Sequence, residues 1–187
     1  ILADAPYYRR SGGGVTLSGG EILGQADFAR DLLEACKQSG LHTAVESTAN
    51  APFETISRIL PFLDLYLLDI KHMNSAKHKE YTGAGNELIL ENAKRLAESG
   101  VELIIRTPVV PNFNDTPEEI RAISKFAASL RGVKEHHLLP YHRLGQDKYS
   151  GLGRRYSLEG VEPPSKEKME YLKACAEECG LKCQIGG

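Results

Sequence analysis

Residues 64–71, DLYLLDIK, decide the fold. The run is nearly continuous in apolar residues and ends in a charged pair, Asp69 and Lys71. A strand with one wet face alternates apolar with polar, whereas a strand of a parallel sheet is apolar almost throughout. The run therefore reads as a strand of a parallel sheet, covered on one face by helices and filled on the other. Parallel neighbours need crossover connections, and the flanking sequence supplies them.

Upstream, residues 53–63 (FETISRILPFL) read as a short helix broken near Pro61. Before it, LHTAVES is a second strand. Residues 27–38 carry helix periodicity through Phe28, Leu32, Leu33, Ala35 and Cys36, with Gly40 as the stop. Residues 15–18 form a short buried strand ended by Gly19 and Gly20. Downstream, Glu87–Ser99 is a helix stopped by Gly100, and VELIIRTPVV is a fourth strand. DTPEEIRAISKFAASL is a helix capped by Thr116, with Pro117 in the first position and Glu119 completing a capping box. EHHLLPY is a fifth strand. Ser165 caps a last helix running to about Cys179, and KCQI is a candidate sixth strand. Residues 145–160, GQDKYSGLGRRYSLEG, read as an exposed loop.

Strands alternating with helices give an α/β fold with a parallel sheet. Five or six strands are too few for an eight-fold barrel, which leaves a partial, open barrel or a doubly wound sheet. The 187 residues contain no low-complexity tract or linker, so one domain is expected over 1–187. A net charge of −2 gives no reason to expect nucleic acid or an anionic membrane. No apolar run approaches the roughly 20 residues of a membrane span. Four cysteines in a chain of this length do not read as a disulfide framework, and a reducing, cytoplasmic setting is expected.

Ligands of parallel α/β folds bind at the carboxyl ends of the strands. Here each end carries functional groups: Gly19, Gly20 and Glu21; Glu46 and Ser47; Asp69 and Lys71; Arg106; Tyr141 and His142. Any one of them alone is an ordinary polar strand end, but five at one rim form a site. Asp69 and Lys71, two apart, share a strand face, and opposite charges on an apolar strand cost desolvation unless paired or holding a ligand. Acidic groups and glycine backbone suit an amine, while Lys and Arg suit a carboxylate or hydroxyls. Together they suit a zwitterionic amino acid carrying a sugar.

GGGVTLSGGE, LLDIKHMN, IIRTPVVPNFND and LLPYHRLGQDKY, in this order, resemble the activating enzymes of glycyl-radical enzymes, of the pyruvate formate-lyase activating type. The resemblance runs from about Ser11 to the C-terminus. It implies a partial, open (β/α)6 barrel of the TIM type, as in radical S-adenosylmethionine (SAM) enzymes. It implies SAM and a [4Fe–4S] cluster as cofactors, a glycyl-radical enzyme as substrate protein, and flavodoxin or ferredoxin as electron donor. In such enzymes SAM is reductively cleaved to methionine and a 5′-deoxyadenosyl radical, which takes a hydrogen atom from a glycine of the partner. By the resemblance, Gly19, Gly20 and Glu21 receive the methionyl amino group. Glu46 and Ser47 match an acidic–hydroxyl pair near it and a monovalent cation. Asp69 and Lys71 match a D-x-K that contacts SAM, and Arg106 and His142 match residues holding its polar and ribose portions.

The sequence departs from that family in having no C-x3-C-x2-C, the motif whose thiolates hold the cluster. Cys175, Cys179 and Cys183 read C-x3-C-x3-C, with the wrong spacing at the wrong end of the fold, and are expected to be structural or partly exposed thiols. Cys36 reads as a small core residue. The expectation is a barrel lacking its first βα unit, carrying no cluster and inactive alone. Two rival readings stand beside this one. Lys71 could form a Schiff base in an aldolase-like barrel, although Asp69 beside it favours a charged ammonium. The chain could also be a non-catalytic binding module, although no G-x-G-x-x-G opens a helix after the first strand.

Overall fold

In the computed structural model, which describes residues 1–142, 158 and 160–186, six strands form one parallel sheet in the order β1 to β6. They are β1 (Gly14–Leu17), β2 (His42–Ser47), β3 (Leu65–Asp69), β4 (Glu102–Val109), β5 (Glu135–Pro140) and β6 (Lys182–Ile185). Each strand pairs in parallel with the next. The sheet does not close on itself, so β1 and β6 are its edges and the fold is a partial, open barrel. Nearly all of the expected loop at 145–160 lies outside the described residues.

Seven helices connect or flank the strands among the described residues: α1 (Ala5–Ser11), α2 (Ala26–Gln38), α3 (Phe53–Ser57), α4 (Ser75–Thr82), α5 (Glu87–Ser99), α6 (Pro117–Ser129) and α7 (Lys166–Glu177). The main core lies between sheet and helices. Val45, Tyr66, Leu68, Leu103 and Ile105 from the strands meet Leu33, Ile56, Ile89, Leu96 and Ile123 from the helices. A second cluster joins Val109 and Leu138 to Met169 and Leu172 of α7.

Several local expectations need correction. The DLYLLDIK strand is not buried on both faces. Tyr66 and Leu68 are buried, whereas Leu65, Leu67 and Asp69 are half-buried on the inner face of the open sheet. Phe28 is 65% exposed and Ala35 is exposed, so α2 packs through Ala26, Ala29, Leu33 and Cys36 instead. Those four positions follow the helical period as well as the larger residues do. The helix in residues 53–63 stops at Ser57, and Pro61 sits in a separate 3₁₀ turn, Leu60–Phe62. Thr116 caps α6 by accepting from Glu119 N at 3.2 Å, but the Glu119 carboxylate accepts from Met73 N across the fold. α1 and α4 are additional elements. α4 buries only His78 and starts at Asn74, whose side chain accepts from Lys77 N at 3.0 Å.

Candidate functional site

Strand ends β1 to β3 surround a cleft of about 380 Å³ at the carboxyl edge of the sheet. Ser18, Gly19, Gly20 and Glu21 line it from the first end, Glu46, Ser47, Thr48 and Asn50 from the second, and Asp69 and Lys71 from the third. Its volume falls in the range of small-molecule pockets. Gly19 takes φ +122°, a conformation that residues with a Cβ rarely adopt, which leaves the turn's backbone open to the cleft. At Gly14 a Cβ would lie 2.2 Å from the His42 carbonyl oxygen, so glycine lets β1 lie close against β2.

Glu21 ties two strand ends together. Its Oε1 accepts from Leu23 N at 3.2 Å and Ser47 Oγ at 2.6 Å, and its Oε2 accepts from Thr48 N at 3.1 Å and Thr48 Oγ1 at 2.8 Å. Its oxygens are thus occupied by protein donors, and the ligand-facing part of the stretch is the Gly19–Gly20 backbone. Glu46 is engaged in a different way. Its Oε2 accepts from Ser18 Oγ at 2.6 Å, and its Oε1 from Arg106 Nη1 at 2.6 Å. Burial pushes its carboxyl up, but these two bonds and the Arg106 charge outweigh it and hold Glu46 below its usual range. With both Glu46 oxygens taken and the Ser47 hydroxyl donated to Glu21, this pair has its bonds within the protein.

Asp69 is the less satisfied partner. Its Oδ1 lies 3.3 Å from Arg106 Nε, yet the two are not aligned to bond, and both buried atoms lack a hydrogen-bond partner. Burial raises the Asp69 pKa, more than the nearby Lys71 and Arg106 charges lower it, and the Glu46 charge adds to the rise. The Lys71 ammonium lines the cleft, with no hydrogen bond or ion pair among the described residues. Among the described residues, the site therefore presents an underbonded acid, an underbonded guanidinium just behind it, an ammonium with no hydrogen bond or ion pair, and an exposed glycine turn. This set matches a ligand bearing both an ammonium and a carboxylate, so the residues fit SAM.

Arg106 does not itself line the cleft but reaches two of its carboxylates. His142 follows β5, is exposed, and is not part of the lining; Tyr141 beside it is buried. Ser18, Thr48 and Asn50 are lining residues that sequence reasoning passed over. The signal for Ser18 and Thr48 was position alone, since each adjoins a residue already singled out, and Asn50 carried no signal. Cys175 and Cys183 are buried and Cys179 is half-buried. Burial pushes the Cys183 thiol up to about 12. Among the described residues no group of three or more His, Cys, Asp or Glu side chains could hold a metal ion, so the site residues do not fit a cluster.

Comparison with known proteins bears on this geometry. The family model described as the radical SAM superfamily matches residues 1–127. The (2S)-3-sulfopropanediol sulfolyase activating enzyme of Bilophila wadsworthia is 47% identical over 163 residues, 86% of this chain and 54% of that protein. This chain thus spans little more than half of that relative's length. The pyruvate formate-lyase 1-activating enzyme of Escherichia coli is 40% identical over 178 residues, 94% of this chain and 72% of that one. A crystal structure of a domain of pyruvate-formate lyase-activating enzyme from Bacteroides vulgatus superposes with a TM-score of 0.78 at 35% identity. It covers 94% of this chain and 99% of that domain.

Proposed function

The chain belongs to the radical SAM superfamily, among the activating enzymes of glycyl-radical enzymes, and on that premise we propose that its cleft is the SAM site of such an activase. The observation that carries this reading is the meeting of the Gly19–Gly20 turn, Asp69, Lys71 and the Glu46–Arg106 pair around one cleft. The methionyl ammonium goes to the glycine turn and the acidic side. The carboxylate and sugar hydroxyls go to Lys71 and Arg106. His142, exposed at the β5 end and outside the lining, is given no contact in this reading. Asp69, whose pKa burial raises, gains a countercharge when the ligand's ammonium arrives.

When bound and reduced, SAM supplies the 5′-deoxyadenosyl radical that takes a hydrogen atom from a glycine of the substrate protein. The residues described here bind and orient it. The substrate protein is a glycyl-radical enzyme, the electron donor flavodoxin or ferredoxin, and the compartment the cytoplasm. No helix among the described residues is long and apolar enough to cross a membrane. The electron source of the family is a [4Fe–4S] cluster on C-x3-C-x2-C, and these 187 residues contain no such motif. By themselves they bind SAM without cleaving it.

Calorimetry or an NMR titration with SAM tests the reading. Without iron to chelate the amino and carboxylate groups, the remaining contacts are each worth about 0.5–3 kcal/mol. They must offset the several kcal/mol lost on immobilising the ligand. The expected dissociation constant is about millimolar, near −4 kcal/mol. Asp69→Ala and Arg106→Ala should each weaken binding, whereas exposed Lys125 of α6 should tolerate alanine. Equal effects at all three positions would mean nonspecific charge attraction and would sink the assignment.

A further inference from the structure

Three buried asparagines that line no part of the cleft grip the loops that do. Asn92 of α5 is fully buried, and its Nδ2 donates to Ala49 O at 2.7 Å and to Ala51 O at 2.8 Å. Those carbonyls flank Asn50 and follow Thr48, both cleft residues. The loop turns there through Ala49 at φ +55°, an uncommon conformation for a residue with a Cβ. Asn86, which caps α5 and is 2% exposed, donates to His72 O at 2.7 Å and Met73 O at 2.8 Å. Asn114, fully buried after β4, donates to Lys71 O at 2.7 Å and Pro108 O at 2.8 Å. Its Oδ1 accepts from Val110 N at 2.7 Å.

The pattern repeats three times: one planar amide uses both N–H bonds on two main-chain carbonyls. Carbonyls just beyond a strand end have left the sheet ladder and need other donors when buried. A primary amide supplies two donors in fixed directions, which no hydroxyl can. The grip is densest around Lys71. This residue lies past the end of β3, yet Asn114 holds its carbonyl and Asn86 holds the next two. Glu119 accepts from Met73 N, and His72 Nδ1 accepts from Asn74 N at 2.9 Å.

We propose that Asn86, Asn92 and Asn114 are positioning residues of the cleft, setting the backbone from which Thr48, Asn50 and Lys71 reach into it. The ligand arm of the test below rests on the SAM reading; the loop arm does not. Asn92→Asp and Asn114→Asp keep the shape but replace two donors with an acceptor aimed at carbonyls. Asn92→Ser and Asn114→Ser keep one donor. Ile123→Val, in the core behind the sheet, is a control for lowered stability.

NMR of the isotope-labelled 187-residue chain reads both arms. In Asn92→Asp the amides of residues 48–51 should shift and exchange with solvent about tenfold faster; in Asn114→Asp the same should happen at 71–74 and 109–110. The control should leave both loops unchanged, and the Ser variants should fall between. On titration with SAM, followed at the Gly19 and Gly20 amides, both Asp variants should bind about fivefold or more weaker, with the control near wild type. Unaltered loop exchange in the Asp variants overturns the inference. So does wild-type SAM affinity with displaced loops, or an equal loss of affinity in the control. If SAM leaves the wild-type cleft amides unmoved, the SAM reading fails, and the loop arm still decides the positioning role. Should Asn114→Asp not fold, Asn92 carries the same comparison, because its Oδ1 has no partner to lose.

Discussion

Arg106 and Thr107 are neighbours on β4 that face opposite sides of the sheet, and their surroundings differ in kind. On the inner, open face, Arg106 sits between Glu46 and Asp69, with its own Nε and Asp69 Oδ1 left without hydrogen bonds. On the helix-covered face, Thr107 Oγ1 donates to Ile70 O at 2.9 Å and meets His136 Nε2 at 2.9 Å. His136 Nδ1 in turn meets Ser124 Oγ at 2.9 Å. With the Thr107 proton committed to Ile70, the ring donates from Nε2 and accepts at Nδ1. That makes a neutral imidazole with both nitrogens bonded. One face holds charges with bonds to spare, the other a neutral chain with none. Around these two neighbours, the satisfied chain serves the fold, and the unsatisfied charges face the cleft side where a ligand can meet them.

The strongest challenge to this contrast is at His136. Removing its ring in His136→Ala leaves a cavity and strips Ser124 of its acceptor, which should lower unfolding free energy by about 2–4 kcal/mol. Urea denaturation measures it, and SAM binding should hardly change. Burial, with a smaller push from His137, lowers the His136 pKa from 6.5 to about 3. Between those values the unfolded chain binds a proton that the native chain does not. Stability is therefore complete above 6.5 and falls with acid across the window. The slope owed to this residue should approach about 1.4 kcal/mol per pH unit and vanish in His136→Gln.

On the inner face, Arg106→Met should cost less in stability, about 1–3 kcal/mol, because Glu46 is 30% exposed and partly screened. It should abolish measurable SAM binding. Glu46 is depressed in the folded chain, so its contribution is present above its ordinary 4.5 and lost as pH falls through the folded value. That acid-side loss should shrink in the variant. A stability loss as large as at His136, with binding intact, would reverse the comparison.

Asp69→Asn should move the two properties in opposite directions. A carboxyl whose folded pKa is raised above 3.8 penalises the native state once pH exceeds the raised value, and the penalty disappears below 3.8. The amide should therefore stabilise the chain at neutral pH, lose that gain in acid, and bind SAM more weakly. The smallest effect belongs to Ser18→Ala. Its bond to Glu46 is exposed, so stability should change by about 0.5 kcal/mol or less, while the Glu46 carboxyl titrates closer to 4.5.

Sequence legibility followed the same division. The strands and α2, α5, α6 and α7 could be read because apolar runs and caps are local signals. α4 could not, since its eight residues bury only His78 and leave no apolar stripe. Charged groups at apolar strand ends drew notice because charge there is costly. Glu21 could be found but its saturation could not, because Ser47 and Thr48 stand 26 and 27 positions away. Glu119 looked like a local capping partner, yet it serves Met73, 46 positions off. The three asparagines escaped because an uncharged amide in a helix or loop carries no signal until its carbonyls are placed beside it.

The unbroken strand order has a consequence for how the chain is made. Each described strand after β1 pairs with its immediate predecessor, so each of them leaving the ribosome meets a partner that has already emerged. Among the described strands no pairing waits for a segment synthesised much later, and loop-closure entropy is met in small instalments. The growing sheet always has one fresh edge, which passes from β2 to β3 and onward. A translational pause between two strands would hold that edge exposed to other nascent chains, whereas a pause after a completed strand–helix pair would leave its apolar face covered.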